Sequence, residues 1–265
     1  MTGRRRRRQH RCMNTIVTPQ AAVAAATDSP TLPSGADERV AGFGVMGLPF
    51  SSGHYLAFRH FPASSFAPAY RSVWHRTPSG EWTFYATTPA EQSCSRYFSS
   101  ATTVPAVECE ITMTWTTPWS VAITIPGLLD WTVEMSETAG TRTMSRVGRA
   151  VPEAVWARES ALAVMSRLAG PLLGVGRLRL TGKAPNGQHY RVAPRQMWVV
   201  SDSTATIAGV ELGRPAPLSE PDRLADFRLP QRGICVIGSA RFDTFDPARH
   251  LPGTRTAPTR PRTSC

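Results

Sequence analysis

The side chains able to do chemistry crowd into one stretch of this 265-residue chain: His54, Arg59 and His60, then Trp74, His75 and Arg76, then Tyr85, and finally Cys94, Arg96 and Tyr97. A histidine near a cysteine offers a nucleophile pair or two ligands of a zinc site, and Arg96 beside Cys94 could favour the thiolate. Spacing limits both ideas. None of the five cysteines, Cys12, Cys94, Cys109, Cys235 and Cys265, forms a C-x-x-C pair, so the sequence has no metal-ligand spacing. His54 and His60, on one extended strand, would stand roughly 20 Å apart and could not share an ion. The sequence contains no G-x-S-x-G elbow, glycine-rich phosphate loop or H-E-x-x-H. The expectation is no metal and no cofactor, with a ligand held by His54, Arg59, Trp74, His75, Tyr85, Cys94 and Arg96. Aromatic walls would take a flat apolar molecule, and Arg59 or Arg96 would meet a carboxylate on it.

Alternation decides which of these side chains can meet. On a strand Trp74 and Arg76 point one way and His75 the other, while His54, Leu56, Phe58 and His60 share a face. The strands are well marked. Ser72 to Thr88 sets two aromatic and β-branched runs around Pro78-Ser79-Gly80, and Arg177 to Val192 repeats the device around Pro185-Asn186-Gly187, so both read as antiparallel hairpins. From Val107 to Met135 apolar residues occupy alternate positions in blocks parted by Thr117-Pro118 and Pro126-Gly127, a meander with one buried face. The period then turns helical. Met144, Val147 and Val151, followed by Val155, Leu162, Met165 and Ala169 up to Gly170-Pro171, predict a short and a longer helix over about 141–169. Strands resume at Arg177 to Thr181, His189 to Val192, Met197 to Ser201, Thr204 to Ala208 and Gly233 to Phe242. Residues 209–230 read as a surface loop with a helical turn near Glu220 to Ala225. Sequential strand blocks without strand–helix alternation disfavour a parallel doubly wound sheet. The fold expected is mainly β: an antiparallel lipocalin-like barrel, or a two-lobed β-barrel, with a two-helix insertion.

The net charge of +11 is spread unevenly: residues 1–38 and 246–265 carry +3 each, leaving +5 for the body between them. All basic residues but Lys183 are arginine, and a mildly basic body with two basic ends is not by itself a nucleic-acid footprint. Residues 1–38 are expected as a disordered leader, with Met13 a candidate start, and residues 246–265 as a disordered tail, around a domain at 39–245. No window approaches the ~18 consecutive apolar residues of a membrane span. Three scattered cysteines inside the domain point to reduced thiols and a cytoplasmic protein.

The chain resembles uncharacterised bacterial proteins carrying the string Ser72-Val73-Trp74-His75-Arg76 continued to Tyr85, a cysteine-aromatic element at Ser93 to Phe98 and an ending at Leu229 to Gly233. In architecture it is similar to the lipocalin-like proteins grouped with tocopherol cyclases and carotenoid hydratases. That resemblance implies a β lobe enclosing an apolar ligand and transfers no catalytic residue. The function expected is binding of a hydrophobic small molecule, an isoprenoid, lipid or polyketide, in a barrel cavity. Cofactor-free hydration or cyclisation, with a histidine or carboxylate supplying the proton, is the catalytic form of that reading. The alternative is an interaction module whose arginine-rich tails bind nucleic acid or anionic membrane.

Overall fold

The computed structural model describes residues 17–252. The arginine run at the amino end, Met13, Cys12, Cys265 and most of the arginine-bearing carboxyl end lie outside the described residues, and with them the tail-binding alternative.

The described part of the segment expected as a leader, residues 17–38, contains a helix. Thr18 caps α1 (Pro19–Asp28) through its side-chain oxygen, and Ala22 and Val23 bury themselves in the main core. Composition hid this because an Ala-rich turn carries so little apolar periodicity. The described part of the segment expected as a tail is also docked: Leu251 N–H donates to Asn186 O at 2.8 Å and His250 is buried.

Strands β1 (Glu38–Pro49), β2 (Tyr55–Ser64), β3 (Tyr70–Arg76) and β4 (Trp82–Ala86) pair antiparallel in sequence order. A short helix, α2 (Ser95–Phe98), precedes β5 (Val107–Glu108), which runs parallel to β4. The meander follows as β6 (Thr112–Thr117), β7 (Ser120–Ile125) and β8 (Leu129–Ser136). Three helices come next, α3 (Ala139–Ala150), α4 (Glu153–Trp156) and α5 (Glu159–Leu173). The chain closes with β9 (Thr181–Lys183), β10 (His189–Ile207), β11 (Val210–Glu211), a small hairpin β12 (Arg223–Leu224) and β13 (Phe227–Arg228), and β14 (Ile234–Phe242). The helical turn expected near 220–225 is therefore a β hairpin, turned by Ala225 at φ +52°.

The main sheet runs β5-β4-β3-β2-β1-β14-β10-β8-β7-β6. Its two edges, β5 and β6, are joined by residues 109–111 alone. Four Cα steps span at most about 14 Å, so the sheet must curl until its edges nearly meet. This explains why an unbroken alternation from Val107 to Trp115 is two strands: the run crosses from one edge to the other. The long strand β10 supplies the bend, pairing with β14 along Tyr190–Val199 and with β8 along Val199–Ile207, with bulges at Pro194/Gln196 and Val200/Asp202. Sequence reading splits it into three because Pro194 and Asp202 interrupt its alternation. A bulge is where a strand tolerates a proline.

Curling gives the sheet an inside and an outside. Phe43, Leu56, Phe58 and Val73 from one arm, and Ile123, Trp131 and Val133 from the other, form one cluster that fills the inside. The mainly β, barrel-like class is as expected. The expected lumen cavity is not where the cavity described below lies: side chains pack the inside, and the cavity sits on the opposite face, under the helices. The insertion is three helices rather than two. Gly148 lets α3 lie against the β10 bulge, since a Cβ there would stand 2.7 Å from Pro194 O. Pro171, expected just past the end of the second helix, lies inside α5, which stops at Gly174 in the left-handed conformation, φ +64°.

Candidate functional site

The outer face of the sheet is built from the alternate residues of each strand: Tyr55, Ala57 and Arg59 on β2, Tyr70 and Trp74 on β3, Val236, Gly238 and Ala240 on β14. Between this face and α2, α3, α5 and the β12–β13 hairpin lies a cavity of about 140 Å³. It runs from an aromatic end, with Tyr70, Trp74, Tyr97 and Phe98, across the flat floor at Gly42 and Gly238, to an aliphatic end with Met144, Leu173, Met197 and Ile234. Glycine at 42 is required because a Cβ there would collide with His60 O on β2, where β1 bulges.

Arginines are the charged residues of the lining: Arg59, Arg179 and Arg228. Arg179 is half exposed and pairs with Asp226. Arg59 is 4% exposed and stands under the aromatic end. Its Nη1 donates to Val45 O at 2.7 Å and Phe58 O at 2.9 Å, and its Nη2 to Met46 O at 3.2 Å. The guanidinium carbon lies 4.8 Å from the Trp74 ring centroid. Burial pulls the Arg59 pKa down; the titratable groups that oppose this are Cys94, Tyr55 and Tyr70, none of them a carboxylate. The carboxylates nearby are taken: Glu38 accepts from Arg96 at 2.7 Å and Tyr97 at 2.6 Å, and Asp222 pairs with Arg76.

Cys94 also lines the cavity, its Sγ 3.4 Å from Tyr70 Oη. Burial raises the thiol pKa more than the Tyr70 hydrogen bond and Arg59 lower it, so the group is a neutral thiol. Arg96, the cation expected to activate it, instead stacks on Phe66 at 4.7 Å and pairs with Glu38. Among the described residues no histidine lines the cavity, because His75 occupies the inner side of β3 and His54, just before β2, meets it there. His54 Nδ1 lies 2.8 Å from His75 Nε2 with the rings stacked. Tyr85 also faces inward and packs against the main core. Of the residues singled out from sequence, the fold thus brings Arg59, Trp74 and Cys94 together in the cavity. It sets His54, His75 and Tyr85 on the other face, and holds Arg96 in a structural ion pair. Neither the Cys–His nucleophile pair nor the mixed Cys–His zinc site is formed. Among the described residues no group of three His, Cys, Asp or Glu is placed to hold a metal ion.

No protein-family model matches the chain, and no curated protein matches it. Among solved structures it is similar to acetoacetate decarboxylase from Legionella pneumophila, at 9% identity and TM-score 0.37 over 86% of this chain and 90% of that one. A second acetoacetate decarboxylase structure matches at 10% identity and TM-score 0.36, over 86% of this chain and 93% of that one. Likeness at this level transfers no activity. The resemblance to tocopherol cyclases and carotenoid hydratases has no support from these comparisons.

Sequence reasoning missed much of the site. The aliphatic end comes from α3, α5, β10 and β14, far along the chain from the cluster at residues 54–97, and nothing local marks Met144, Leu173, Met197 or Ile234 as neighbours of Arg59. Tyr70 was equally silent, one aromatic among many. No helix among the described residues is long and apolar enough to cross a membrane.

Proposed function

We propose that this protein binds a small hydrophobic molecule in the cavity between the outer face of the sheet and its helical cover. The observation that carries the reading is the cavity itself: a preformed space of about 140 Å³ walled by aromatic side chains at one end and aliphatic ones at the other. A void of about this size in a hydrocarbon-lined core stays dry and takes up a benzene ring. The size suits one ring or a chain of about six carbons, or the end of a longer isoprenoid or lipid. Binding fits the lining better than hydration or cyclisation does. Two protic side chains that line the cavity beside Arg59 are Cys94 and Tyr70, both pushed by burial toward their neutral forms, and among the described residues the lining holds no imidazole or carboxylate to move a proton.

The test uses the full chain purified from its own host, analysed by native mass spectrometry with organic extraction, and thermal melts with benzyl alcohol and hexan-1-ol. A ligand that binds only the folded state raises the melting temperature with concentration. Ala240→Leu, which adds bulk to the cavity lining beside the aromatic end, should abolish that rise while leaving the ligand-free melt near its original position. No extracted compound together with no shift by any small apolar compound, or an undiminished shift in Ala240→Leu, would overturn the proposal.

A further inference from the structure

Arg59 is a buried cation without an anionic partner among the described residues. Isolated charges are costly to bury unless paired, and here three carbonyl oxygens and the face of Trp74 meet part of that cost while no carboxylate does. The groups around it are also short of partners. Ser72 lies directly across the β2–β3 ladder from Arg59, on the same face of the sheet, and its Oγ is buried with no hydrogen-bond partner. The indole Nε1 of Trp74, the ring beneath the guanidinium, is likewise buried and unpartnered. Buried polar groups in folded proteins nearly always have partners. One cation and one unsatisfied indole in the lining of an apolar cavity, with an unsatisfied hydroxyl across the ladder from the cation, therefore describe a place that an acceptor-only, negatively charged group would complete.

We propose that the ligand is a small apolar carboxylic acid, with its carboxylate at Arg59 beside Ser72 and Trp74 and its hydrocarbon along the cavity toward Met144, Leu173, Met197 and Ile234. This rests on the cavity-binding reading and names the chemical class of its ligand. A carboxylate suits the position because it only accepts hydrogen bonds, through two oxygens, and so can take donors from several directions at once. The rest of the lining agrees in sign: Arg179 and Arg228 are its other charged members, and neither aspartate nor glutamate contributes.

The experiment is a matched comparison on the full chain by calorimetry: hexanoate against hexan-1-ol, and benzoate against benzyl alcohol, at neutral pH. Hydrogen bonds to a charged group predict that each acid binds about 10- to 100-fold more tightly than its alcohol. Arg59→Gln should cut acid affinity about tenfold or more and leave alcohol affinity within about threefold, a selective loss that a purely structural role would not produce. Ser72→Ala is the second variant, removing a hydroxyl that has no partner among the described residues. It should fold as well as the parent and bind the acids several-fold more weakly. If Arg59→Gln fails to fold, the acid–alcohol ratio in the parent and the Ser72→Ala result decide the matter. Alcohols binding as well as the acids would overturn the acid class and leave the cavity reading standing. No binding by either class, with nothing extracted from the host-purified protein, would remove both.

Discussion

The stacked histidines predict a particular acid sensitivity. His75 is 8% exposed, and burial, with His54 against it, lowers its pKa from 6.5 to about 4. Burial, aided by Arg71, lowers His60 equally, to about 4. The geometry gives a second reason for the pair: one imidazole donates to the other across 2.8 Å, and protonating both would turn two donors toward each other. An unfolded chain takes up these protons near pH 6.5, whereas the folded chain resists until about 4, so protons bind preferentially to the unfolded state in between. The stability these groups contribute is complete above pH 6.5 and is lost as pH falls toward 4. A difference of about 2.5 pKa units corresponds to at most ~3.4 kcal/mol for His75, of which ~2 kcal/mol is already lost at pH 5. His60 is half-buried, so solvent screening reduces its share to about half of that. Stability should therefore fall by about 2–3 kcal/mol between pH 7.5 and pH 5.0. Asp226 also has a lowered pKa, through the Lys183 N–H and Arg179, but its effect falls below its ordinary 3.8 and outside this window. Urea unfolding followed by tryptophan fluorescence at pH 7.5, 6.5 and 5.0 measures the slope. The double variant His60→Gln/His75→Gln should flatten it to less than about 1 kcal/mol. A flat profile in the parent protein, or the same slope in the double variant, would refute the reasoning.

Other outcomes follow from the same structure. Trp131 donates its indole N–H to Ser203 Oγ at 2.9 Å inside the main core, so Ser203→Ala strands a buried donor and should cost about 1–3 kcal/mol in urea unfolding. An unchanged urea midpoint would show that the indole finds another acceptor. Burial raises the thiol pKa of Cys94, of Cys109 to about 11 and of Cys235 to about 12. In a Cys12→Ser/Cys265→Ser background the native protein should therefore react with a thiol reagent at pH 8 at least about 100-fold more slowly than in urea. A fast-reacting native thiol would mean that one of the three is more open than the structure shows.

What could be read from the chain was whatever repeats over short distances. The hairpins at Pro78-Ser79-Gly80 and Pro185-Asn186-Gly187 turn at Gly80 and Gly187 with positive φ, because a tight turn writes its requirement into two or three adjacent residues. The meander at 112–136 was legible because one of its faces is buried, which leaves a period of two in the sequence. The mainly antiparallel class followed from these signals. Which face of the sheet closes on itself and which holds a cavity did not. His75 and Trp74 are adjacent in sequence and lie on opposite sides of one strand, and only the curl that brings β5 within reach of β6 makes one side a packed interior and the other a covered cleft. Arg59 shows the limit most clearly. Its residue type suggested an anion partner, but its want of one depends on where Glu38 and Asp222 are spent, on Arg96 and Arg76, and on a helix that starts 80 residues later laying Met144 at the far end of the same space. Local sequence sets turns and periods because neighbouring residues enforce them; burial, pairing and vacancy belong to contacts between distant segments, and those exist only once the chain has folded.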